Sequence, residues 1–344
     1  MKRYITHYIV GICIIFLYGC QENDIVTEYN SDPLTNFDAV WSILDTKYCY
    51  FIEKNIDWDE IYWQYAYQAE SSKTVLELFD TMEEMIDNLQ DGHVNIYSYF
   101  DISSCSGWYE DYPTDYYTSQ VYGERYLGDD YRISGGFNYN LIAGDSVGYI
   151  RYSSFSSGFS TAGLYYIDAI FGANCKGIII DVRSNGGGSL DYSKILASSF
   201  FKERTVTGYM RYKTGDGHDD FSDYSEVVTD PADALIDWSD KKVVVLSNRG
   251  CYSATNDFIM RMKQAPNVTV VGGITGGGGG LPLSQELPNG WMIRFSAVPM
   301  YDYNKETTEF GVEPDIEVHI TDETSDIDPI IEKAVEIIKE SAEL

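Results

Sequence analysis

Apolar positions recur at helical spacing through the first third of the chain. Across residues 75–89, Leu78, Met82, Met85, Ile86 and Leu89 share one face, and Thr74 with Glu77 matches a capping box. The pattern therefore predicts a helix there, and helical spacing continues back to Asn36. It stops at Asp91-Gly92-His93. Residues 34–96 read as a small N-terminal helical domain.

Residues 97–146 change character, being rich in Tyr, Gly, Ser and Asp, with short alternating runs such as Phe137-Asn138-Tyr139-Asn140-Leu141-Ile142. They predict a hairpin insertion, with the ordered core starting at Val147-Gly148-Tyr149-Ile150-Arg151-Tyr152. Two continuous apolar runs follow, Gly177-Ile178-Ile179-Ile180-Asp181-Val182 and Lys242-Val243-Val244-Val245-Leu246. Each feeds a loop and then a helix, the helices expected from about Leu190 to Phe201 and Ala254 to Lys263. Buried β-branched strands joined through helices predict an α/β fold with a mixed or largely parallel sheet covered on both faces. In such sheets sites gather beyond the carboxyl ends of the strands, so the loops 185–188 and 248–253 are expected to face one another. Residues 213–224 read as a solvated acidic loop, Asp315 to Ile320 as an alternating strand, and residues 329–343 as an exposed amphipathic C-terminal helix.

The first twenty residues stand outside this pattern. Lys2 and Arg3 precede an apolar run from Ile9 to Leu17 that ends in Leu17-Tyr18-Gly19-Cys20. The run is shorter than the about 20 apolar residues a spanning helix needs. It predicts a lipoprotein signal peptide over residues 1–19, a lipid on Cys20 and a tether over residues 20–33. That places the protein in the cell envelope as an exported lipoprotein, periplasmic or on the outer-membrane surface. Loss of residues 1–19 removes Lys2 and Arg3, leaving 22 basic against 54 acidic residues and a formal charge of −32. Nucleic acid is excluded as a partner by that charge, and membrane contact is expected only through the lipid. Cys49, Cys105, Cys175 and Cys251 form no CxxC pair, so no zinc site is expected and buried thiols or one disulfide remain. No cofactor is expected either.

Ser253 opens a helix after a strand and a turn. That is the setting of an acyl-transfer nucleophile, because the Ala254 amide and the helix dipole would face a developing oxyanion. The same local pattern fits a plain N-cap serine. Gly186-Gly187-Gly188 and Gly276 to Gly280 match neither G-x-G-x-x-G nor a P-loop, which argues against a phosphate cradle. Glycines at 187 and 188 would instead let backbone amides approach a substrate carbonyl. A nucleophilic serine needs a base. Beyond the signal segment the histidines are His93, His218 and His319, and His93, following the predicted helix, is the best placed.

Taken in order, Asp91-Gly92-His93-Val94, Gly148-Tyr149-Ile150, Asp181 to Gly188, Tyr252-Ser253-Ala254 and Gly311 to Val318 resemble the tail-specific (carboxyl-terminal processing) protease family. The resemblance implies a ClpP/crotonase-like core and serine peptidase activity on flexible peptides or unfolded proteins. In one branch a lysine about twenty-five residues after the serine is the base, and here that position is Gly278. The other branch resembles the tricorn core and the interphotoreceptor retinoid-binding protein modules, in which a histidine serves the serine. That branch implies Ser253, His93 and Glu309 as the catalytic set, with Gly187, Gly188 and Ala254 as oxyanion donors. It also places a serine before the histidine, where this chain has Gly92. A PDZ domain does not fit in the interval between His93 and Val147. Against the peptidase reading stands a catalytically inactive relative that binds a peptide, glycan or apolar ligand in the same cleft. A carboxylate-based glycosidase has no nominated pair of acids to support it.

Overall fold

The computed structural model describes residues 30–342. The signal segment, Cys20 and most of the tether lie outside the described residues. In chain order the elements are α1 (Pro33–Lys47), α2 (Trp58–Ser71), α3 (Val75–Asp87), β1 (Asn95–Tyr97), α4 (Gly107–Glu110), α5 (Thr118–Val121), β2 (Arg132–Ser134), β3 (Phe137–Ile142), β4 (Val147–Tyr152), α6 (Thr161–Phe171), β5 (Gly177–Asp181), α7 (Leu190–Ser198), β6 (Thr205–Met210), β7 (Ser225–Thr229), β8 (Lys242–Ser247), α8 (Ala254–Met262), β9 (Val268–Gly272), β10 (Gly280–Glu286), β11 (Met292–Tyr301), β12 (Ile316–Glu317) and α9 (Pro329–Ser341).

The main sheet has seven strands in the order β12-β9-β8-β5-β4-β3-β2. From β12 to β4 every pairing is parallel, while β3 and β2 add an antiparallel edge. Side chains alternate across it. Ile178, Ile180, Val243 and Val245 face one core with residues of α6, α7 and α8, and Ile179, Val244 and Leu246 face the other with α9. This alternation inside continuous apolar strands is the two-sided burial expected of a parallel sheet.

Three features depart from the sequence reading. The β2–β3 hairpin does not stand apart as an insertion: β3 pairs with β4 along its whole length, so the core sheet starts before Val147. The C-terminal helix is not exposed, since Ile330, Ile331, Ala334, Val335 and Ile338 form its sheet-covering face. The chain also builds a second, five-stranded antiparallel sheet, β1-β11-β6-β7 with β10 on β11. Residues of α1, α2 and α3 share one apolar cluster with Ile293, Phe295 and Ala297 of β11. The N-terminal helices thus close their core on that sheet rather than by themselves. The Thr74–Glu77 capping box is present at the start of α3.

Buried charge pins the layers together. Arg183, just past β5, is fully buried between Asp181 at 2.6 Å and Asp328 at 2.7 Å, and Asp328 is also the N-cap of α9. A guanidinium taken out of water is tolerated only with such partners. The Arg183 pair therefore anchors the carboxyl end of β5, where the glycine loop begins.

Candidate active site

At the end of β8 the chain turns through residues 248–252 into α8, and Ser253 occupies the N-cap position. Its side chain makes no cap hydrogen bond, and its backbone is held at φ 57°, ψ −120°. A non-glycine residue there is strained by about 1–3 kcal/mol, sustained only where the surroundings enforce it. Here they do so through a hydrogen bond from Ser253 N to Gly277 O at 2.9 Å and another from Tyr252 N to Asn185 O at 3.1 Å. The plain N-cap alternative does not describe this serine. Its hydroxyl is turned away from the helix, and Oγ lies 3.0 Å from His93 Nε2.

His93 follows α3 and sits almost wholly buried between helical layer and sheet. Asp91 holds its backbone, accepting from His93 N at 2.8 Å, and also accepts from Ser296 Oγ at 2.8 Å and Tyr48 Oη at 3.1 Å. The Tyr252 ring packs on the imidazole at 4.9 Å, and Trp108 of α4 stacks on Tyr252 at 4.3 Å. Burial dominates the imidazole's acidity and pushes its pKa down to about 4. Asp91 pulls the other way, while Arg294 and Lys54 add to the lowering. The ring is consequently neutral near pH 7, as a base must be. Its Nδ1 makes no well-aligned hydrogen bond, though a backbone interaction with Gly280 also pulls the imidazole pKa upward.

The glycine loop after β5 lies against the serine turn. Asn185 ties it down, donating to Tyr152 O at 3.0 Å and accepting from Gly187 N at 3.0 Å. Gly187 has φ +99°, and a Cβ there would sit 2.9 Å from Ala254 N and 2.8 Å from Ser253 Cβ. Only a glycine leaves the space in front of the Ala254 amide open. The Gly187 N–H is already engaged by Asn185, whereas the amides of Gly188 and Ala254 have no protein acceptor.

Glu309 is brought to the site's periphery but not to the imidazole. Its Oε1 lies 2.7 Å from Lys54 Nζ and its Oε2 accepts from Gly279 N at 3.1 Å. Burial first, then the neighbouring Asp91 charge, pushes the Glu309 acid up to about 8 against the pull of Lys54. For Asp91 burial acts to raise the pKa, but Lys54 and His93 outweigh it, so its carboxyl is held below the usual range. One ammonium thus serves two buried acids, with the charge on Asp91 and the proton on Glu309.

The two departures from the resembling families have steric causes. A side chain at Gly92 would meet Trp108 Nε1 at 2.8 Å and Tyr252 Oη at 3.0 Å, so the space of a serine there is already filled. Gly278 has φ +68°, and a Cβ on it would lie 2.4 Å from the Tyr252 ring. A lysine at that position is excluded by the aromatic that packs on His93. The other histidines are elsewhere: His218 bonds Asp45 at 2.9 Å, and His319 lies between Asp115 at 2.6 Å and Glu317 at 2.9 Å. Among the described residues no group of His, Cys, Asp and Glu is gathered as a metal site, and all four described cysteines are free. Sequence reasoning missed Lys54, Trp108 and the holding role of Asp91. Of these only Asp91 carried a signal, by standing in the Asp-Gly-His motif.

Residues 146–318 match Peptidase family S41, and residues 29–87 match the Tricorn protease C1 domain. The chain is similar to a solved putative peptidase from Parabacteroides merdae ATCC 43184, with 48% identity, a TM-score of 0.84, and 90% of this chain and 97% of that one covered. It is 23% identical over 185 residues to the carboxy-terminal processing protease CtpA of Bacillus subtilis (strain 168), covering 54% of this chain and 37% of that protein. Against the curated relatives first matched, the chain spans between 23% and 37% of their length. The crystal structure of the tricorn protease shares the fold at 16% identity and a TM-score of 0.54, over 91% of this chain and 37% of that one.

Proposed function

The chain belongs to peptidase family S41, and from that premise we propose that it hydrolyses peptide bonds through an acyl-enzyme, with Ser253 as nucleophile and His93 as base. The observation that carries this reading is the 3.0 Å approach of His93 Nε2 to a Ser253 hydroxyl presented on a strained turn and left uncapped. In the reaction Ser253 Oγ attacks the scissile carbonyl carbon while His93 Nε2 takes its proton. The carbonyl oxygen, now an oxyanion, is held by the Ala254 and Gly188 amides at the positive end of α8. Collapse of the tetrahedral species expels the amine, which receives the proton from His93, and water repeats the sequence to release the acid. The imidazolium formed along the way has the Asp91 carboxylate, not Glu309, as the charge that favours it. Glu309 acts at one remove, by accepting from Lys54 and fixing the Gly279 backbone.

The substrate class we propose is flexible peptide or unfolded protein, supported by the match to Peptidase family S41 and the likeness to carboxy-terminal processing proteases. For location we propose an exported lipoprotein of the cell envelope, anchored through Cys20. The Lys2-Arg3 start, the apolar run and the Gly19-Cys20 pair support it. Loss of radiolabelled fatty acid from a Cys20→Ala variant is the corresponding check.

The catalytic reading is tested with a fluorophosphonate probe. Wild-type protein should be labelled on Ser253, and Ser253→Ala and His93→Ala should abolish labelling and turnover of unfolded casein while keeping the circular dichroism of the wild type. Equal labelling of wild type and Ser253→Ala would refute the assignment.

A further inference from the structure

Beside Ser253 lies a pocket of about 100 Å³ whose walls include Gly188, Asn256 and Asp257 on one side and Gly279 and Arg294 on the other. It is far smaller than the roughly 300–1,000 Å³ of small-molecule sites, so it admits one short side chain or a chain end. Arg294 stands near the start of β11, opposite Asn95 of β1 and Ser284 of β10. Arg294 is partly buried, and its guanidinium has no hydrogen bond, ion pair or ring contact among the described residues.

That isolation is unusual in a chain with 54 acidic and 24 basic residues. Arg125, Arg183, Arg204 and Arg261 each face a carboxylate. A partly buried charge without a partner costs free energy that a bound counter-charge would recover. The helix ends at the pocket add to the positive sign. Helices α7 and α8 both start at its wall, with Leu190 and Ser253 among the lining residues, so two positive helix ends border it. The acid on the wall, Asp257, is satisfied locally: its Oδ2 accepts from Ser193 Oγ at 2.6 Å and from Arg261 Nε at 2.9 Å. Its Oδ1 is unpartnered but closed to solvent, so the accessible charge is that of Arg294.

We propose that Arg294 makes this pocket a receptor for a carboxylate, supplied by an aspartate side chain next to the scissile bond or by the terminal carboxylate of the substrate. The proposal deepens the peptidase reading and rests on it for the word substrate, but the binding it describes is measurable without turnover. A guanidinium offers paired donors that fit a carboxylate and not a neutral amide.

The test uses Ser253→Ala protein and four blocked peptides, followed by isothermal titration. One pair is acetyl-Ala-Ala-Asp-Ala-Ala-amide and its Asn counterpart. The other is acetyl-Ala-Ala-Ala with a free carboxylate and with a terminal amide. The acidic member of at least one pair should bind roughly ten- to a hundredfold more tightly than its amide. The pair that shows it identifies the source of the carboxylate. That preference should vanish in Ser253→Ala/Arg294→Gln and survive in part in Ser253→Ala/Arg294→Lys, which retains charge and bulk. Equal affinities within both pairs, an unchanged preference after Arg294→Gln, or no binding by any peptide overturns the proposal. Fluorophosphonate labelling of the Ser253 enzyme separates the two readings. Labelling without carboxylate preference removes the pocket and leaves the peptidase, and preference without labelling does the reverse.

Discussion

Lys54 Nζ lies 2.7 Å from Glu309 Oε1, with both side chains almost wholly shielded from water, and this pairing takes the Glu309 carboxylate away from His93. The acid expected to orient the imidazole instead belongs to a buried cluster with Lys54 and Asp91. Orientation of His93 passes to Asp91 through the backbone and to Tyr252 through ring packing. The Ser253–His93 approach is thus held by a fixed loop and a packed aromatic.

Lys54 is therefore expected to be a stability residue first. Its ammonium also donates to the carbonyls of Leu89 at 3.0 Å and Gln90 at 3.2 Å, tying the end of the helical layer to the site. Lys54→Met would leave Asp91 buried without its cation. Breaking a buried pair from one side costs about 3–5 kcal/mol, so urea denaturation should show a loss of that order. A loss under 1 kcal/mol would mean that Asp91 and Glu309 are not held by this ammonium.

If His93 is the base, as proposed, its depressed pKa should set the acid limb of activity. A base works only when unprotonated, so the rate should fall as pH drops through the pKa of the free enzyme, expected at about 4 rather than near 6.5. The pH dependence of fluorophosphonate labelling measures this midpoint. Arg294→Gln removes one of the charges that hold the value down and should move the midpoint upward. A wild-type midpoint near 6.5 would contradict the buried, neutral imidazole.

Elements that announce themselves locally were legible in the sequence. The strands β5 and β8 are unbroken apolar runs, α3 carries its own capping box, and the turn at Ser253 and the glycine loop stand directly after strands. The second sheet was not legible, because β10 contains Pro282 and an exposed polar end and the paired β6 and β7 join the sheet only through distant β11. The apolar stripe of α9 was visible but its cover was not, since the strands that receive it lie far earlier in the chain. Lys54 had no signal at all: its partners Asp91 and Glu309 come from other parts of the chain, and an isolated lysine reads as surface.

Gly187 should be the most sensitive glycine for chemistry. An alanine would carry a Cβ to 2.7 Å from Tyr252 O and 2.9 Å from Ala254 N, on a backbone at φ +99°. It would block the approach of the oxyanion to its donor, and loss of one such donor costs roughly 10²–10³ in rate. Gly187→Ala should therefore slow labelling by that factor. Gly186→Ala, where a Cβ meets nothing within 4 Å, should label normally. Equal rates for the two variants would place the oxyanion elsewhere.

Glu309 makes a prediction of opposite sign to that of an ordinary ion-paired acid. Its folded pKa is raised to about 8, above the usual 4.5, because burial and Asp91 outweigh Lys54. Between those two values the folded state holds a proton that the unfolded state has released, so stability falls as pH rises through that window, by up to about 1.4 kcal/mol per pH unit. Below 4.5 both states are protonated and the effect vanishes; above 8 the full cost is present. Glutamine cannot ionise and keeps an oxygen for Lys54 or Gly279 N. Glu309→Gln should match the wild type in thermal stability near pH 4.5 and exceed it increasingly toward pH 8. If Glu309 instead stays ionised against Lys54, the variant will be the less stable protein at pH 7 and above, and the proton assigned to Glu309 belongs elsewhere in the cluster.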